Sequence, residues 1–240
     1  MNTVLSSRPP SARQTVRAVL FDLDGTLLDT APDFVVVLNQ LLGEHDRPAL
    51  PAATIRRRVS NGARALVELA FGVGPGDPAY EPLRERLLEI YSGHLAVYTE
   101  LFPGLQRLLT QLDEWQIPWG IATNKPAAYA IPLMEQLDLQ PAAECIICPD
   151  HVEERKPHPE SLFLAAKQLG CEPRDIVYVG DHLRDIECGK RAGAITIAAA
   201  YGYIEEGDDV DAWGADYRVE HGEEMLGILQ ALMEEFPEEV

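Results

Sequence analysis

Five short apolar runs, separated by helical patterns, set the strongest limit on how this chain can fold. They are Arg17-Ala18-Val19-Leu20-Phe21, Trp119-Gly120-Ile121-Ala122-Thr123, Cys145-Ile146-Ile147-Cys148-Pro149, Asp175-Ile176-Val177-Tyr178-Val179-Gly180 and Thr196-Ile197-Ala198-Ala199-Ala200. Each is too short for a helix and mostly apolar, as strands covered on both faces are. Helical periodicity fills the gaps over residues 104–114, 126–137, 160–169 and 183–192. Strand and helix in alternation predict an α/β fold, a Rossmann-like parallel sheet with right-handed crossovers and helices on both faces. Such sheets carry their chemistry at the carboxyl ends of the strands.

The alternation breaks once, between Asp29 and Phe102, where no convincing strand is found. Thr30-Ala31-Pro32-Asp33 reads as an N-cap followed by an acid, opening an amphipathic helix over 34–42, and further helices fit 52–59, 63–71 and 80–98. The predicted organisation is a Ser-, Pro- and Arg-rich tail over 1–14, a core domain formed by 15–28 and 103–240, and a helical cap domain over 29–102 inserted after the first strand. A cap placed over the carboxyl edge can exclude water and select substrates.

Charge narrows the partners. The chain holds 39 Asp+Glu against 20 Lys+Arg, and residues 205–240 alone carry 13 acids and one base, Arg218. An acidic chain with no basic run longer than Arg56-Arg57-Arg58 argues against nucleic acid as a partner. No apolar stretch approaches the ~20 residues of a membrane span, and the first residues lack a signal-peptide core, so a soluble, cytoplasmic protein is expected. Cys145-Ile-Ile-Cys148 matches C-x-x-C but lies inside an apolar run, and a buried strand is the better reading than redox or metal chemistry.

Polar residues gather where the sheet requires them. The first strand ends in Asp22-Leu23-Asp24-Gly25-Thr26, whose two carboxylates, two residues apart, can face one pocket, with Gly25 letting backbone N–H groups turn toward an anion. The second ends in Thr123-Asn124-Lys125, offering a hydroxyl and an amide for phosphate oxygens. Lys156 follows the third, and the fourth ends in Gly180-Asp181-His182-Leu183-Arg184-Asp185, where two acids four apart can both reach a hard cation.

With these four segments in order, the chain resembles the haloacid dehalogenase superfamily phosphatases. The resemblance implies Asp22 as nucleophile, Asp24 as general acid and base, and Thr123 and Lys156 as catalytic groups holding the transferring phosphoryl oxygens. Leu23, Gly25, Thr26 and Asn124 would add phosphate contacts. Mg²⁺ would be bound by Asp22, the Asp24 carbonyl, Asp181 and Asp185. The expected partner is a small phosphorylated metabolite, with no protein, membrane or nucleic acid partner implied.

An acid two residues after the nucleophile argues for phosphate esters over carbon–halogen or phosphonate bonds. A sugar-phosphate mutase, which would keep that acid, is a more remote reading on grounds of the family resemblance, and a non-catalytic binding module is more remote because no catalytic acid is missing. The cap and the Val59 to Arg64 segment resemble phosphoglycolate phosphatases. Asn61-Gly62-Ala63-Arg64, Cys148 to Val152, Gly180 to Glu187, Tyr201-Gly202-Tyr203-Ile204 and Trp213 to Asp216 look closer to the phosphatases that act on N-acetylmuramic acid 6-phosphate in cell-wall recycling. Both substrates carry a carboxylate. Arg64 is the expected guanidinium for it, with Asn61 and Gly62 beside it and Arg56 in reserve.

Overall fold

A computed structural model describes residues 16–235. The tail predicted over 1–14 lies outside the described residues. After β1 (Ala18–Phe21) and β2 (Leu28–Asp29) come helices α1 (Ala31–Glu44), α2 (Ala52–Arg56), α3 (Gly62–Phe71) and α4 (Tyr80–Ser92), then β3 (Glu100–Leu101). The alternation resumes with α5 (Leu105–Glu114), β4 (Trp119–Ala122), α6 (Ala127–Leu137), β5 (Cys145–Ile147), α7 (Glu160–Leu169), β6 (Ile176–Gly180), α8 (Leu183–Ala192) and β7 (Ile195–Ala199). It closes with β8 (Tyr217–Val219) and α9 (Glu224–Glu235). Among the described residues no helix is long and apolar enough to cross a membrane.

The main sheet is wholly parallel, in the order β5-β4-β1-β6-β7-β8. Its central strands are buried along their whole length, the environment their unbroken apolar character requires. The chain runs outward from β1 to β4 and β5, then returns to the other side of β1 through β6, so the strand order reverses beside β1. Ligand crevices open at such reversal points, outside the carboxyl ends of the strands. Register fixes which residues meet there: Phe21 lies opposite both Ile121 and Val179. Asp22, one residue on, and Thr123 and Asp181, two residues on, therefore emerge at the same edge.

Two features depart from expectation. The sixth strand, β8, and the terminal α9 lack a signal of their own: Tyr217–Val219 is three residues long and carries an arginine. The segment between β2 and β3 holds helices α1–α4, with α2 and α4 ending at Arg56 and Ser92, short of the expected 59 and 98, and β2 and β3 pair antiparallel at its two ends. Strands of two residues are too short to carry a period. Thr30 does not cap α1 with its side chain; its hydroxyl donates to Asp24 Oδ1 at 2.6 Å. Asp33 instead accepts from Tyr98 N at 2.9 Å and Thr99 Oγ1 at 2.6 Å, tying the start of α1 to the chain leaving the helical segment. The C-x-x-C cysteines are free and buried, and burial pushes both thiols up to about 11, away from the thiolate that redox or metal chemistry needs.

Candidate active site

Three carboxylates from two adjacent strand ends form the centre. Asp22 follows β1, Asp181 follows β6, and Asp185 stands in the first turn of α8; their oxygens lie within 4.8 Å of one another and all three residues are buried. Lys156, fully buried, reaches the cluster from the loop before α7, with Nζ 2.9 Å from Asp22 Oδ1 and 2.7 Å from Asp185 Oδ1. It also donates to Tyr178 Oη at 2.8 Å and Ala122 O at 3.0 Å. Tyr178, at the centre of β6, donates in turn to Ala122 O at 2.8 Å. One cation thus answers two of three buried acids and cannot answer the third.

The protonation pattern follows from that imbalance. Burial pushes every carboxyl of the cluster up, but Lys156, Arg184 and the Leu23 N–H outweigh it at Asp22, whose carboxyl lies below its usual range. At Asp185 burial prevails over Lys156, and its carboxyl is raised. Asp181 is pushed up to about 7, first by burial and then by the charges of Asp22 and Asp185. Lys156 is raised, since Asp185 and Asp22 overcome the burial of its ammonium. Oxygen-only donors, closely spaced and short of positive charge, are what a hard divalent cation binds. Asp22 Oδ1 and Asp185 Oδ1 are met by the Lys156 ammonium alone among the described residues, which leaves further lone pairs on both to offer.

Asp24 occupies different surroundings. Lys125 Nζ approaches its two oxygens at 2.9 and 3.2 Å, and Thr30 supplies the third contact. The Lys125 ammonium is buried over the rings of Phe34 and Tyr91, which stack at 4.1 Å. A lysine of the sheet edge is thereby seated in aromatic side chains of α1 and α4. The side chain of Asp24 stands outside the three-carboxylate cluster.

Several expected phosphate contacts are engaged otherwise. Asn124 is turned to the main chain of Lys156, donating to its carbonyl at 3.1 Å and accepting from its N–H at 3.2 Å, so it aims the lysine loop. The Gly25 N–H is spent on Leu28 O at 3.0 Å. Thr26 Oγ1 donates to Asp181 Oδ1 at 3.3 Å, and Thr123 Oγ1 accepts from Lys125 N at 3.2 Å. Leu23 is buried and offers its backbone N–H to Asp22.

Gly25 matters chiefly for space. Its φ is +86°, and a Cβ there would stand 2.1 Å from Asp181 Oδ2. Gly25→Ala should therefore strain the backbone and push Asp181 out of the cluster, lowering stability by ~1–3 kcal/mol and divalent-cation affinity at least about tenfold. Calorimetric titration with Mg²⁺ checks this, and unchanged affinity would contradict it.

The helical segment meets this edge through residues 56–61. Ser60 Oγ donates to Asp181 Oδ2 at 3.0 Å, and Asn61 Nδ2 donates to Glu205 Oε1. Gly62, with φ +72°, opens α3. Arg64 points elsewhere: its side chain is 65% exposed and paired with Glu68 at 2.9 Å, a solvated i,i+4 contact. Arg56 is held by both oxygens of Asp29 at 2.7 and 2.8 Å and lies over Tyr203. Tyr203 joins three parts of the site, with its N–H on Asp181 Oδ2 at 2.9 Å and its hydroxyl both donating to Asp29 and accepting from Ala31 N. Lys125, Tyr178, Ser60, Tyr203 and Arg184 are site residues that the motifs did not single out. Proximity in sequence to Thr123 and Asp181 flags only Lys125 and Arg184.

A parallel sheet with an acidic, lysine-countered crevice at its reversal point, bordered by helices inserted after the first strand, defines an α/β enzyme with a polar centre whose carboxylates could hold a cation. Matching that architecture, the sequence profile of the haloacid dehalogenase-like hydrolases fits residues 19–199. The chain belongs to this family. It is 45% identical to N-acetylmuramic acid 6-phosphate phosphatase of Pseudomonas putida over 218 residues, covering 91% of this chain and 98% of that one. It is 41% identical to phosphoglycolate phosphatase of Xanthomonas campestris over 204 residues, 85% and 92% of the two chains. A crystal structure described as a predicted phosphoglycolate phosphatase from Haemophilus somnus shares the fold, with TM-score 0.78, 22% identity, and 88% and 97% coverage.

Proposed function

We propose that the protein is a Mg²⁺-dependent phosphomonoesterase acting through an aspartyl-phosphate, with N-acetylmuramic acid 6-phosphate as its substrate. The observation that carries the reaction is the buried cluster in which Lys156 holds Asp22 ionised beside two further acids. An ionised carboxylate needs no base to attack phosphorus. In the first half-reaction an Asp22 oxygen bonds to phosphorus as the ester oxygen leaves, and Asp24 gives that oxygen its proton. In the second, water attacks the same phosphorus, its proton passes to Asp24, and the Asp22 carboxylate departs.

Lys156 and Thr123 would hold the phosphoryl oxygens, and Lys125 and Thr30 would hold Asp24. Asp22, Asp181 and Asp185, with the Asp24 carbonyl, would bind Mg²⁺, which supplies positive charge between carboxylate and phosphate that otherwise repel. Residues 29–102 would act as a separate cap domain over this edge.

The substrate assignment is supported by 45% and 43% identity to two N-acetylmuramic acid 6-phosphate phosphatases, against 41% to a phosphoglycolate phosphatase. Removal of this sugar phosphate would place the protein in cell-wall recycling in the cytoplasm. Phosphate release from a panel holding both esters tests it. The expected result is a kcat/KM at least about tenfold higher for the muramic acid ester, and the reverse order overturns the ranking in favour of phosphoglycolate.

A further inference from the structure

We propose that Arg184 binds a carboxylate carried by the leaving-group half of the phosphate ester, and so sets the preference for acidic esters. This deepens the phosphatase reading and rests on it. Arg184 is the second residue of α8, between Asp181 and Asp185, so the loop that sets those acids also sets its backbone. From there its guanidinium reaches the helical segment, donating through Nη1 to Asn61 Oδ1 at 3.3 Å and through Nη2 to Ser60 O. Ser60 in turn touches Asp181. The guanidinium therefore stands beside the carboxylate cluster with the sheet edge on one side and residues 60–61 on the other.

Its partners set it apart from the other cations near the site. Arg56 is taken by Asp29, Arg57 by Glu206, Arg58 by Glu205, Arg64 by Glu68, Lys125 by Asp24 and Lys156 by Asp22 and Asp185. No carboxylate among the described residues forms an ion pair with Arg184: its charge lowers the nearby Asp22 and Asp185 carboxyls, but its hydrogen bonds go to neutral oxygens and its Nε is buried without an acceptor. An unmet buried donor is costly, and the first turn of a helix is an unfavourable place for a cation. Both costs are offset if an anion arrives. A guanidinium meets a carboxylate through two parallel hydrogen bonds, a geometry no neutral acceptor here reproduces. Phosphoryl charge already has Lys156 to meet it, so Arg184 remains for a second anionic group.

A matched pair of esters tests this: N-acetylmuramic acid 6-phosphate and N-acetylglucosamine 6-phosphate differ by the lactyl ether that bears the carboxylate. Arg184→Gln should lower kcat/KM for both, but by roughly 10- to 100-fold more for the acidic ester, with that excess appearing in KM. Arg184→Lys, which keeps the charge without the fork, should fall between the parent and Arg184→Gln, and it carries the test if the Gln variant does not fold. Equal losses on the two esters, or an excess confined to kcat, would overturn the assignment. Affinities of the two esters measured by calorimetry on an Asp22→Asn background give the same comparison without turnover. The parent enzyme's own ratio judges the substrate reading separately: preference for the carboxylate-free ester sinks that reading, whereas the assignment of Arg184 stands or falls on the change in ratio.

Discussion

Asp22→Asn should reduce phosphate release by about 10⁴-fold or more while leaving the fold in place. The substitution is nearly isosteric, so the packing at the end of β1 is kept. It replaces the one carboxylate of the cluster that the surrounding charges hold below its usual range. An amide has no comparable nucleophilicity. Lys156 keeps Asp185 at 2.7 Å, so the buried cation is not orphaned, and the melting temperature should stay within a few degrees of the parent. The check is phosphate release alongside a thermal melt. Turnover within tenfold of the parent would remove Asp22 from the role of nucleophile, and a collapsed melt would show that its contribution is structural.

The largest stability effect is expected for Lys156→Met. Methionine fills the aliphatic space but strips the sole cation held at ion-pair distance from Asp22 and Asp185 among the described residues. Breaking a buried ion pair from one side costs ~3–5 kcal/mol, which for a chain of this size lowers the melting temperature by roughly 10 °C. Saturating Mg²⁺ should return much of that loss, because a divalent cation at the three carboxylates replaces the missing charge.

Stability without added cation should also depend on pH, in the variant as in the parent. Asp181 has its carboxyl raised to about 7 from an ordinary value of 3.8, so the folded chain binds more protons than the unfolded one between those values. Stability from this group is present below pH 4 and lost as pH rises through about 7. The variant without added cation should therefore be weaker at pH 8 than at pH 6. Melts at both pH values, with and without Mg²⁺, measure the effect. Parent-like stability at pH 8 without the cation would mean that Lys156 is not the counter-charge of the cluster.

The legible part of the site was the part written in strand ends. Asp22, Thr123 and Asp181 each directly follow a buried apolar run, and a parallel sheet brings such positions to one edge whatever lies between them. Asp185 was readable because it sits four residues beyond Asp181, across the start of α8. Tyr178 was hidden because it occupies an apolar strand as a core tyrosine would, and only the fold shows its hydroxyl between Lys156 and Ala122. Asn124 carried a polar side chain beside Thr123 at a strand end, yet its two hydrogen bonds go to the main chain of Lys156. Composition at a position says what a side chain can bond, not which of several nearby partners it meets.

By itself the sequence determined the parallel α/β core, the helical segment inserted after the first strand, and the acids and lysine at the sheet edge. Those follow from local rules, the length and apolarity of buried strands and the period of helices, which act within a few residues. Tertiary structure alone decided the charge pairing. Arg64 and Arg56 were the expected anion-binding arginines, and both are neutralised, by Glu68 one helical turn away and by Asp29 at the end of β2. Arg184, unremarkable in the sequence, is left with neutral partners against Ser60 and Asn61, more than 120 residues distant along the chain. Coulomb energy depends on separation in space, and chain folding sets that separation independently of separation in sequence.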